Sequence, residues 1–128
     1  MATLRETIHI DASPDKIWAE VRDPLSVLNF FDALETAEMV GSARKIKMGD
    51  INITEEIVTV DDDLRRFQYS ITEMPIPVEF HLSTIDVLED GDGSLIVYGV
   101  DVRPDMLKDI LAPTSSGATA AMKAYFEK

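Results

Sequence analysis

Apolar and polar residues alternate from the first positions of the chain. Leu4, Glu6, Ile8 and Ile10 fall on one side, and Arg5, Thr7 and His9 on the other. That period of two predicts a strand with His9 in solvent. The pattern then changes. Asp11-Ala12-Ser13-Pro14-Asp15 writes a helix start, with Ser13 as the cap and Pro14 at the first helical position, where no amide hydrogen is missed. Asp15 suits the positive end of the helix dipole. Ile17, Trp18 and Val21 share one face, and Asp23-Pro24 ends the helix, because proline restricts the residue before it. Leu25 to Phe31 predicts a second short helix that turns Leu25, Leu28 and either Phe30 or Phe31 inward.

A run of strands follows. Thr36 to Val40 and Ala43 to Met48 predict a hairpin about Gly41-Ser42, and Gly49-Asp50 marks the next turn. Ile51 to Val60 is a long strand with Ile51, Ile53, Glu55, Ile57 and Thr59 on one face, and Asp61-Asp62-Asp63 after it reads as a loop. Arg65 to Thr72 puts Phe67, Tyr69 and Ile71 on one side, and Pro75-Ile76-Pro77 blocks ladder pairing. In Val78 to Leu88 the apolar phase slips, from Val78, Phe80 and Leu82 to Ile85 and Val87, which predicts a bulge near Ser83-Thr84. After a turn at 89–94, Ser94 to Val102 carries Ile96, Tyr98, Val100 and Val102 on one face.

Met106 to Leu111 predicts a helical turn or two, which Ala112-Pro113 interrupts. Ser115 or Ser116 then caps a final helix to Lys128, with Ala118, Ala121, Met122 and Tyr125 at i, i+3, i+4 and i+7. That face is mostly small and leaves room beside itself. The pattern therefore predicts one α+β domain over 1–128, in which a curved antiparallel sheet of about seven strands wraps around the C-terminal helix with a cavity between them.

Composition narrows the partners. The net charge of −12 repels phosphate backbones and anionic membrane surfaces, so neither nucleic acid nor a membrane is an expected partner. With no cysteine there is no disulfide, thiolate nucleophile or Cys-based metal site. The first residues lack the apolar core of a signal peptide, and no apolar run approaches the roughly 18 residues of a membrane span, so a cytoplasmic location is expected.

Few residues carry chemistry. Glu55 shares a face with three isoleucines; on the inner side its carboxyl would be pushed toward its neutral form and could serve as a general acid or base. The commoner outcome is a pair with Arg44 or Lys47 on a neighbouring strand, or exposure. His81 and Glu79, two apart, could join Tyr69 or Tyr98 in a polar cluster inside an apolar cavity. Val78, Phe80 and Leu82 compete for that inner face, and by hydrophobicity they take it. Asp61-Asp62-Asp63 lacks the ligand spacing of a calcium loop, and two distant histidines make a poor zinc site, so no metal and no cofactor are expected.

Several motifs together resemble the START-like or SRPBCC superfamily, the helix-grip fold of polyketide cyclase/dehydrase-like and lipid-transport proteins. They are the opening Ile10-Asp11-Ala12-Ser13-Pro14-Asp15-Lys16-Ile17-Trp18, the Glu55 strand, Arg66-Phe67-Gln68-Tyr69, and Val97-Tyr98-Gly99-Val100-Asp101-Val102-Arg103-Pro104. The chain departs from the family pattern at Asn29-Phe30-Phe31, at Phe80-His81 and at Tyr98, positions where such proteins line their cavities. The resemblance implies a deep apolar pocket for a lipid, sterol, polyketide or aromatic molecule. Its expected lining is Phe30, Phe31, Ile53, Glu55, Tyr69 and Phe80, together with His81, Tyr98, Val100, Met106, Ala118 and Met122. The leading expectation is a binder of a small hydrophobic ligand. The alternative is a cyclase/dehydratase-like enzyme with Glu55, His81 and Tyr98 moving protons, and a homodimer through the edge strand or the Phe30–Phe31 helix is a third.

Overall fold

The computed structural model describes residues 1–128. Strand β1 (Ala2–Ile10) leads into helix α1 (Pro14–Val21), a single 3-10 turn (Pro24–Ser26) and helix α2 (Val27–Phe30). Six strands follow: β2 (Thr36–Val40), β3 (Ala43–Met48), β4 (Ile51–Asp61), β5 (Arg66–Glu73), β6 (Phe80–Asp90) and β7 (Gly93–Arg103). Helix α3 (Leu107–Phe126) closes the chain. The strands form one antiparallel sheet in the order β1-β7-β6-β5-β4-β3-β2, curved around α3 in the helix-grip arrangement.

Local chemistry sets the element ends. The Lys16 N–H donates to Ser13 Oγ at 3.2 Å with Pro14 in the first turn, as the sequence pattern demands. The Asp23 carboxylate accepts from the Leu25 N–H at 3.0 Å and starts the 3-10 turn. The β6–β7 hairpin turns at Gly91, whose φ of 59° is one that glycine adopts without steric cost.

Apolar side chains gather into two groups. The larger packs α1 and most of α3 onto the sheet through Ile10, Ile17, Trp18, Ile96, Leu107 and Met122. The smaller, Val27, Ile46, Ile53 and Ile71, belongs to α2 and strands β3 to β5. The grip is thus solid at one end. At the other its apolar residues stand around a hollow.

Four expectations are corrected. Leu25 and Leu28 are exposed, and the short second helix instead buries Val27 and Phe30. The polar Asp23 cap rotates the segment by starting it as a 3-10 turn, which shifts the inward positions. Strand β6 has no bulge: it pairs residue for residue with β7 from Phe80↔Arg103 to Asp90↔Gly93. Its inner positions are His81, Ser83, Ile85 and Val87, and Phe80 faces outward. The ladder irregularities lie between β4 and β5 instead, at Thr54/Glu55 and Ile57/Thr59. Finally, α3 runs unbroken through Pro113, so Ser115 and Ser116 lie inside the helix and do not cap it. Ser115 Oγ donates to the Leu111 carbonyl at 3.3 Å and Ser116 Oγ to the Pro113 carbonyl at 3.2 Å, side-chain bonds that follow the point where proline removes a ladder donor.

Candidate functional site

The hollow end encloses a cavity of about 190 Å³. Its walls come from α2 and the following loop (Val27, Phe31, Leu34), from β3 and β4 (Ile46, Ile53), and from the β5–β6 connection (Met74, Ile76). Helix α3 contributes Leu111, Thr114 and Ser115, the stretch on either side of Pro113. Exposed Ile51, Pro75 and Thr114 form part of the rim. The surface is overwhelmingly apolar. Its polar side chains are few and concentrate on the floor: Glu55, Tyr69, His81, Ser83 and Tyr98.

Strand alternation places those floor residues. Tyr69 sits between inward Phe67 and Ile71 on β5, and Tyr98 between Ile96 and Val100 on β7. Between these strands β6 offers His81 and Ser83. The Tyr69 and Tyr98 hydroxyls hydrogen-bond to each other. Burial pushes both phenols up, so both stay protonated.

Glu55 points inward and is 4% exposed, as is its partner Arg44 at 3%. The two lie opposite each other on β4 and β3, with Arg44 Nε 2.8 Å and Nη2 2.7 Å from Glu55 Oε1. Arg44 Nη1 donates to the Pro24 carbonyl at 2.7 Å, and its guanidinium lies over the Tyr69 ring, 4.8 Å from the centroid. Burial pushes the Glu55 carboxyl above the usual carboxylate range, and the Arg44 charge pulls it back. The pair is a neutral unit that reaches the floor through Glu55.

His81 is held at both nitrogens. The Ile71 N–H donates to Nδ1 at 2.9 Å, and Nε2 lies 3.0 Å from Ser83 Oγ. A backbone donor on Nδ1 leaves the ring's own hydrogen on Nε2. Burial lowers the imidazole to about 4, so the ring is neutral at pH 7.

Of the residues expected at the pocket, the structure brings Phe31, Ile53, Glu55, Tyr69, His81, Tyr98 and Val100 to this cavity. It does not bring the others. Phe30 and Met122 line a separate void of about 20 Å³, and Ala118 is packed in the solid core. Phe80 lies on the outer surface with Met1 and Arg103, because its position on β6 has the opposite parity to His81. Met106 is 60% exposed, just ahead of α3, and Glu79 is exposed before β6 begins, so neither joins the cluster. Ser83 is absent from the residues expected at the pocket, and Arg44 is expected there only as a partner for Glu55. Counting back in twos from Val87 and Ile85 finds Ser83, and counting back from Ile46 finds Arg44.

Comparison with known proteins agrees with this architecture. The model of the family described as polyketide cyclase / dehydrase and lipid transport matches residues 1–128. No functionally curated protein matches the chain. The structure of the protein XoxI from Bacillus cereus superposes with a TM-score of 0.89 at 25% identity, covering 98% of this chain and 96% of that one. A START superfamily protein from Mycobacterium smegmatis gives 0.82 at 12% identity, over 98% and 97% of the two chains. Norcoclaurine synthase from Thalictrum flavum, in complex with dopamine and hydroxybenzaldehyde, gives 0.75 at 18% identity, over 97% and 85%. No helix is long and apolar enough to cross a membrane.

Proposed function

The chain belongs to the polyketide cyclase / dehydrase and lipid transport family, and on that basis we propose that it binds a small hydrophobic molecule in the hollow between the sheet and the first half of α3. The observation that carries this reading is the cavity itself: about 190 Å³ of apolar-walled space with a handful of polar groups on its floor. A few fixed polar groups in an apolar wall orient a ligand whose affinity comes from burial. Phe31, Ile53, Ile71 and Val100 would supply the apolar contact, and Tyr69 and Tyr98 the orientation.

The convergence of Glu55, His81 and Tyr98 on one cavity favours a second reading, a cyclase/dehydratase-like enzyme. Their bonding argues against it as the first choice. Glu55 is tied to Arg44, and the His81 lone pair that would take a proton is occupied by the Ile71 N–H.

Native mass spectrometry of gently purified protein, together with titration by an apolar fluorescent probe, tests the binding reading. Retained apolar ligand or saturable probe binding is expected. Ser115→Phe, which projects a ring from α3 into the cavity, should abolish either signal while leaving the circular dichroism spectrum unchanged. Absence of both signals in the unaltered protein refutes the proposal.

A further inference from the structure

The floor of the cavity contains a hydrogen-bond count that does not close. The Ile71 N–H makes Nδ1 of His81 an acceptor, so the ring donates its Nε2 hydrogen to Ser83 Oγ, 3.0 Å away. Beside this bond, the Tyr69 and Tyr98 hydroxyls bond to each other. The tyrosine pair thus brings two hydroxyl hydrogens to a single bond. Turning either rotor moves the surplus hydrogen from one phenol to the other without removing it. One O–H donor is left over in the pair, and both phenols face the cavity.

The carboxylate on the floor is paired with Arg44 through its Oε1 atom. Each Arg44 nitrogen already has a partner, Nε and Nη2 on Glu55 and Nη1 on the Pro24 carbonyl. No positive charge is spare to offset the desolvation of a buried anion. The cavity is also modest in size. At about 190 Å³ it is somewhat larger than the roughly 150 Å³ that encloses one benzene ring, so it suits a substituted ring or a medium-length chain.

We infer that the cavity selects an uncharged, otherwise apolar molecule with one accepting oxygen at its buried end, of the ketone, aldehyde or ester class, gripped by the surplus hydroxyl hydrogen of the Tyr69–Tyr98 pair. This rests on the hollow being a ligand site at all, and deepens that reading. The accepting oxygen completes the count: the pair's two hydrogens then meet two acceptors. An alkane leaves the donor unpaired in a dry site, and a carboxylate brings a charge that nothing there neutralises.

The test uses the full chain at pH 7.5 with nonan-2-one, nonane and nonanoate, followed by calorimetry and by the infrared carbonyl stretch of the bound ketone. The ketone should bind at least about tenfold more tightly than nonanoate, and its stretch should lie at lower frequency than in an alkane solvent. In Tyr69→Phe/Tyr98→Phe the ketone should lose about tenfold in affinity while nonane changes little. Nonane binding there also reports an intact cavity, and the ligand series on the unaltered protein needs no variant. An alkane-like carbonyl frequency, or nonanoate binding as tightly as the ketone, overturns the inference and leaves the apolar site standing. Failure of both nonane and ketone to bind overturns the site itself.

Discussion

Replacing Arg44 by Met keeps an apolar stem against the Phe67 and Tyr69 rings and removes the charge that faces Glu55. The Glu55 carboxylate, 4% exposed, then has no countercharge. Breaking a buried pair by removing one partner costs about 3–5 kcal/mol, a large share of the roughly 5–15 kcal/mol that holds a domain of this size together. The cost is also pH-dependent, with a definite sign. Burial already raises Glu55 in the folded protein, and losing Arg44 removes the main opposing influence. The folded variant therefore keeps a proton that the unfolded chain releases. Its stability is greatest below the unfolded carboxyl value and is lost as pH rises through the folded one, at up to about 1.4 kcal/mol per pH unit. Urea denaturation of Arg44→Met and the unaltered protein at pH 5 and pH 7.5 should show a deficit that grows with pH. Arg44→Met/Glu55→Leu should recover most of it, because an apolar pair fills the same space without an unpaired charge. A deficit below about 1 kcal/mol at pH 7.5, or one independent of pH, would show that the pair is not the buried unit described above.

The two histidines offer a contrast within one spectrum. His9, exposed and bonded to Asp90 at 2.8 Å and Asp11 at 3.0 Å, should titrate above its usual value in an NMR pH series; His81 should titrate near pH 4 and show the Nε2–H tautomer throughout the neutral range. A His81 midpoint near 6.5 would mean that the ring is not held as described. A second contrast concerns two glycines of β7. A Cβ on Gly93 would lie 2.4 Å from the Ile10 carbonyl oxygen, whereas on Gly99 the nearest atom is 3.8 Å away. Gly93→Ala should destabilise by about 2 kcal/mol or more and Gly99→Ala by well under 1 kcal/mol, read as shifts in the urea midpoint.

Where side chains obey the simple rule that apolar faces turn inward, the chain could be read directly. The Ser13-Pro14 cap, the inward triplet Phe67, Tyr69 and Ile71, and the strands other than β6 appear where the pattern puts them. Strand β6 breaks the rule for a physical reason. A cavity wall needs no hydrophobe at every inner position, so His81 and Ser83 take the inside and Phe80 the outside. The apparent slip in phase marked the hollow, and a polar residue at a position of inner parity is the usable signal. Pro113 departs from its pattern differently. A proline predicts a break, yet this one sits exposed on α3, where the lost donor is one bond among many in a 20-residue helix anchored by Leu107, Ala118 and Met122.

The first and last strands meet in the sheet, where β1 lies beside β7 with Ala2 opposite Val102. Every other neighbouring pair of strands is joined by a local hairpin or a short loop, so the meander from β2 to β7 can zip up step by step. The first strand instead waits for the last. During synthesis it leaves the ribosome with its hydrogen-bonding edge unmatched until some 100 further residues have followed, a long closure of the kind that slows folding. Crowded cells should therefore meet this protein first as a nascent chain with one sticky ribbon, and its yield on expression should depend on how well that ribbon is shielded.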